Sequence, residues 1–239
     1  MKRGLFLLTL ILMNPLWAGC PGGDRIAQTQ GMRAALPVYM RCALDHNDDQ
    51  SQLKLARLYR KGSDDIDQST QRSLLFYHLS ADNGNAAAMV EFSTLLTQLD
   101  NDDSGREEIL SYSGKIKKQL LGSPYATFQG DFLHPYALLV LAAESTDDKW
   151  FYPSETKTDT RAKSLIVNYR IDDDKKEQIL REASEWKQRK LLELARHLLS
   201  PREFNQFYTT LYPPLGQADP FQRSQAVNHL KQKLESRSL

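Results

Sequence analysis

The sequence predicts an all-α protein: a short solenoid of helical pairs with extra helices at its C-terminal end. Three observations carry this expectation. One pattern of small, apolar and turn residues occurs twice between residues 43 and 96, 37 positions apart. Asn47 and Gly84 open the copies, followed by Ser51 and Ala88, Leu55 and Phe92, Ala56 and Ser93, then Tyr59 and Leu96. Self-similarity at this period marks stacked helix pairs, each leaving an apolar face for its neighbour to cover. Elsewhere apolar residues recur at helical spacing, and strand-like alternation is nearly absent. The composition, 41% hydrophobic and 26% charged, is that of an ordinary globular chain.

Residues 1–19 read as a signal peptide. Lys2 and Arg3 precede an apolar run, LFLLTLILM at 5–13, that is too short to cross a bilayer. The following NPLWAGC fits two chemistries. Ala18, Gly19 and Cys20 resemble the end of a bacterial lipoprotein signal, whose cysteine becomes lipidated, although Trp17 stands where leucine is usual and Pro21 follows directly. Cleavage after Ala18 leaves Cys20 and Cys42, the only cysteines, to pair in an oxidising compartment. Both readings place the protein in the periplasm, free or held to the membrane by an N-terminal lipid alone.

Residues 31–130 are expected to form the repeat region. MRAALPVYMRCAL sets Ala35, Val38, Met40 and Ala43 near helical spacing, but Pro37 must sit in a first turn or break the segment. DHNDDQ is a polar turn with capping residues. SQLKLARLYRKG then puts Leu55, Leu58 and Tyr59 on one face and stops at Gly62. After the SDDID loop, QSTQRSLLFYHLSADNG turns Leu74, Leu75, Tyr77, Leu79 and Ala81 inward and stops at Gly84, and residues 86–99 begin the next pair.

The stretch running from LARLYRKG to EFSTLL resembles Sel-one-like repeats, tetratricopeptide-related helical pairs of about 36 residues. Ser51, Leu55, Ala56, Tyr59 and Gly62 match that family's first helix. Ser73, Phe76, Tyr77, Ser80, Ala81 and Gly84 match its second. Ala56 and Ser73 replace the commoner glycine and alanine, and the loop lacks the usual glycine-valine turn. Each small position is expected at a helix crossing, where a larger side chain would push the axes beyond about 8–10 Å.

Residues 131–239 are expected to form a C-terminal helical region packed on the repeats. Before it, residues 107–122 read as a drifted helix of a third copy, with Gly122 and Ala126 recurring 38 positions after Gly84 and Ala88. HPYALLVLAAES is apolar enough to be buried nearly all round. A polar loop at 146–160 carries Trp150, Phe151 and Tyr152, the candidate partner-binding residues, because aromatic side chains dominate interface hot spots. The same loop could instead fold back onto the repeats. A charged helix follows, with Ile179, Ala183, Trp186 and Leu191 on one face and the acidic triplet Asp172, Asp173 and Asp174 at its start. Within it, QILREASEW resembles the terminal capping helix of such arrays. PREFNQFYTTLY is a further helix that breaks at Pro213 and Pro214, and FQRSQAVNHLKQKLE ends the chain.

Lys plus Arg number 31 against 30 Asp plus Glu, a formal charge of +1, and no basic run supplies the footprint that nucleic acid requires. His46, His78, His134, His197 and His229 are scattered, with no pair at metal-ligand spacing. No phosphate loop and no serine elbow occurs. The acidic runs at 64–67, 100–103 and 172–174 lack the spacing of a calcium loop. No catalytic residue, metal or cofactor is assigned, and an enzyme is the remotest expectation. The Sel-one-like resemblance implies an adaptor or inhibitor whose partner is another protein. Compartment, size and fold class sharpen this to an immunity protein that covers a periplasm-acting toxin, such as a phospholipase effector of type VI secretion. A scaffold for envelope assembly or secretion is the alternative.

Overall fold

A computed structural model of the protein describes residues 20–101, 133–148, 156–212 and 220–237. The expectations for the signal peptide, the third repeat copy, Pro213 and Pro214 lie outside those residues. Every regular element among them is a helix: α1 (Pro21–Gln30), α2 (Met32–Asp45), α3 (Asp49–Lys61), α4 (Thr70–Asp82), α5 (Ala86–Asp100), α6 (Pro135–Asp148), α7 (Thr156–Asn168), α8 (Asp173–Leu198), α9 (Pro201–Leu211) and α10 (Pro220–Arg237). A single isolated antiparallel bridge joins Ser63 to Ile66 in the turn after α3.

The duplicated pattern is present in the backbone as well as the side chains. Asn47 and Gly84 both adopt positive φ, 51° and 90°, which turns the chain sharply before the next helix. One residue later, Asp48 and Asn85 cap α3 and α5, accepting the backbone N–H of Ser51 and Ala88. Leu55, Phe92, Ala56, Ser93, Tyr59 and Leu96 are all buried. The small residues stand where helices touch. The Ser73 hydroxyl donates to the Ala56 carbonyl at 3.0 Å, and that of Ser80 to the Asp49 carbonyl at 2.8 Å, so α4 lies close along α3. Serine at 73 is thus used: it fits the crossing and satisfies its own polar atom.

Helix α2 extends the pattern upstream. Ala35, Tyr39 and Ala43 precede Ser73, Tyr77 and Ala81 by 38 positions each, and all six are buried. Pro37 neither starts nor breaks this helix; it lies inside α2. Pro37 and Arg33, whose carbonyl loses its helical N–H partner to the proline, are both exposed, so water replaces the missing bond. Consecutive helices pack in order, α1 on α2, α2 on α3, α3 on α4 and α4 on α5.

The C-terminal half rests on α6. Tyr136, Ala137, Leu138, Leu139, Leu141, Ala142 and Ala143 are buried, and α6 packs against α5, α7 and α8. The polar loop is shorter than expected. Helix α6 continues to Asp148 and α7 begins at Thr156, with Ala162 turned into the core. Helix α8 starts where its acids predict: Asp172 accepts the Lys175 N–H, and Asp173 and Asp174 occupy the first turn. Ile179, Ala183, Trp186 and Leu191 are buried. Trp186 Nε1 donates to Asp82 of α4 at 3.1 Å, and Lys190 reaches the other oxygen of the same carboxylate at 2.7 Å. That contact fastens the long helix to α4.

Candidate protein-binding face

Helix α3 is the hub of one charged face. Lys54, Arg57 and Lys61 follow one another at helical spacings of three and four, so they form a single stripe. Lys54 reaches toward α1, where its ammonium meets both oxygens of Asp24, at 2.7 Å to Oδ2. Tyr39 of α2 donates its hydroxyl to the same carboxylate. The Lys54 and Tyr39 hydrogen bonds hold the Asp24 carboxyl below the ordinary aspartate range. Burial, reinforced by Asp24, pushes the Tyr39 hydroxyl well above the ordinary tyrosine value. Gly23 makes this approach possible, since a Cβ there would stand 2.7 Å from the Tyr39 ring.

The other side of α3 repeats the arrangement toward α5. Arg57 Nε lies 3.0 and 3.1 Å from the two oxygens of Glu91, and Tyr77 of α4 donates its hydroxyl to Glu91 Oε2 at 2.7 Å. Tyr39 and Tyr77 therefore hold equivalent places in α2 and α4 and each engages a carboxylate that is paired to α3. Arg60 donates to Gln98 of α5 at 2.9 Å and to the Tyr77 hydroxyl. Burial pushes the Glu91 carboxyl up, but Arg57, Tyr77 and the charge of Arg161 on α7 outweigh it, and its pKa lies below the ordinary glutamate range. Burial and Glu91 raise the Tyr77 hydroxyl far above its usual value. At neutral pH the face therefore carries an ionised Glu91 with Arg57 and the charge of Arg161 acting on it, and Arg60 held alongside by Gln98 and Tyr77.

A second polar group seals the end of the repeat. Asn47 and Asn83 exchange amide hydrogen bonds at 2.9 and 2.8 Å, and Gln52 donates to Asn47 and to the Ala43 carbonyl, each at 2.9 Å. Asn85 Nδ2 donates to the buried Asp49 carboxyl at 2.6 Å. These side chains satisfy the turn between copies, with Asn47 exposed and Gln52 and Asn85 buried beneath it.

Cys20 and Cys42 are joined as a disulfide, with Cα atoms 6.2 Å apart, which ties the start of α1 to α2. Trp150, Phe151 and Tyr152 lie outside the described residues. Tyr208 on α9 and Tyr212 at its C-terminal end are exposed, and the Tyr208 ring lies tilted between Phe204 and Tyr212 at ring separations of 6.3 and 5.0 Å. The histidines are dispersed: His46, His197 and His229 are exposed, His134 is half-buried, and His78 is buried in α4, where burial lowers its pKa to about 4. Among the described residues no group of three or more His, Cys, Asp or Glu stands where it could hold a metal ion, and no helix is long and apolar enough to cross a membrane.

Sequence reasoning missed the charged face. The stripe on α3 was visible as a spacing, but its meaning depends on Glu91 and Arg161, which only the fold brings alongside. No known protein family, no curated protein and no solved structure matches the chain.

Proposed function

We propose that this is an exported, Sel-one-like helical-repeat protein that works by binding another protein, as an inhibitor or adaptor. The observation that carries the reading is the lattice on α1, α3, α5 and α7. Helical pairs related by 37 or 38 positions cover one another's apolar faces, and the charged side chains bridging α3 to both neighbours hold one continuous outer face. A rigid charged surface of this kind orients a partner and speeds its encounter. The disulfide supports export to an oxidising compartment, and a Cys20 sulfur bonded to Cys42 is not the sulfur of a lipid anchor.

Within that reading the sharpest role is immunity: the protein covers the active region of a periplasm-acting toxin, such as a phospholipase effector of type VI secretion. The test is periplasmic expression of a phospholipase effector of type VI secretion in cells with and without this protein, together with co-purification of the two. Protection and a stable complex are expected. Unprotected cells and no complex would remove the immunity role, and disturbed envelope assembly in a deletion strain would point to the scaffold alternative.

A further inference from the structure

We infer that the partner presents an acidic segment to this face, its carboxylates seating on Arg57 and Arg60 of α3 and Arg161 of α7. The inference rests on the protein-binding reading above and names the chemistry of the partner. Arg57 pairs with the Glu91 carboxylate, the charge of Arg161 acts on the same carboxylate, and Arg60 bonds Gln98 and the Tyr77 hydroxyl beside it. Three arginines thus stand against one glutamate in a protein whose formal charge is only +1. Glu91 and Tyr77 act as a frame: bidentate pairing fixes Arg57, and the Tyr77 hydroxyl accepts from Arg60, so the forks are oriented before any partner arrives. Arg57 keeps 48% of its side chain exposed, and Arg161 is exposed on α7. A planar guanidinium is matched to carboxylates in a way that a lysine ammonium is not. Phosphate shares this chemistry, but among the described residues the face presents no exposed aromatic ring on which bases could stack.

The test is fluorescence anisotropy of the exported full chain with three labelled probes, an oligoglutamate peptide, an oligolysine peptide and a single-stranded oligonucleotide, at low and moderate salt. The oligoglutamate peptide is expected to bind, with affinity falling as salt rises. Arg161→Glu and Arg60→Gln should each weaken it by about tenfold or more. Arg33→Glu and Arg41→Glu, exposed on α2 and changing the charge as Arg161→Glu does, should leave it within about twofold. Equal losses in both sets, absence of oligoglutamate binding, or preference for the oligonucleotide would overturn the inference. The protein-binding reading fails separately. If a partner identified from periplasm still binds Arg161→Glu at full strength, the acidic-segment inference is wrong and that reading stands.

Discussion

Asp49 should make the protein less stable at neutral pH than at mildly acidic pH, and Asp49→Asn should abolish that loss. The residue is 6% exposed in the first turn of α3, with Asn85 Nδ2 at 2.6 Å and Gln50 Nε2 at 3.2 Å as its side-chain partners and Asp48 as its neighbour. Burial pushes its pKa up from 3.8 to about 6, with the Asn85 hydrogen bond opposing and Asp48 adding to the rise. A folded-state value above the unfolded one means that the native protein binds the extra proton between these limits. The stabilising contribution is thus complete below about pH 4 and lost as pH rises through about 6. At about 1.4 kcal/mol for each tenfold change, the full loss is on the order of 3 kcal/mol. Asparagine keeps the acceptor for Asn85 and carries no charge. Urea unfolding followed by far-UV circular dichroism should show the variant and the parent nearly equal at about pH 4, with the variant ahead by about 2–3 kcal/mol at about pH 7. Comparing the two proteins at each pH cancels the opposite trend from Asp24 and Glu91, whose lowered values remove stability on acidification. A gap that stays constant across this range, or a variant less stable at neutral pH, would refute the reasoning.

Three further outcomes follow from the packing. Cys42→Ser opens a loop spanning 22 residues and should lower stability by about 3 kcal/mol in urea unfolding, an effect that reductant reproduces in the parent and does not add to in the variant. Ser73→Leu forces a large side chain into the α3–α4 crossing and should cost about 1–3 kcal/mol, whereas Ser73→Ala, which loses only the bond to Ala56, should cost about 1 kcal/mol by the same measurement. Trp186→Ala removes a side chain that is 4% exposed and should cost about 3–5 kcal/mol, with faster amide exchange in α8.

The helices from α3 to α5 were legible because packing at a helix crossing admits few side chains. Ser51, Ala56, Ser73, Ser80 and Ala81 leave a trace at fixed spacing whatever their partner, and α6 and the start of α8 announce themselves by their apolar run and acidic first turn. Helix α2 was obscured by Pro37, which sequence rules treat as a terminator and which here faces solvent, where a lost hydrogen bond is replaced by water. Helix α1 begins PGGD, with poor intrinsic propensity; the disulfide and the contact of Asp24 with Lys54 and Tyr39 supply the tertiary support. Helix α7 shows only Ala162, Leu165 and Ile166 as an inward stripe among polar residues, too narrow to stand out from a loop. The charged face is a property of helices brought together from separate parts of the chain. Lys54, Arg57, Arg60 and Lys61 resemble any solvated helix surface until Asp24, Glu91 and Arg161 are set beside them.

The role we propose for this protein is binding a protein partner through the face centred on α3. The most direct measurement is titration calorimetry of a partner purified from periplasm against the parent and Arg161→Glu. A stoichiometric complex is expected with the parent, and an affinity lower by about tenfold or more with the variant. A partner that binds both equally, or no complex with the parent, would contradict it.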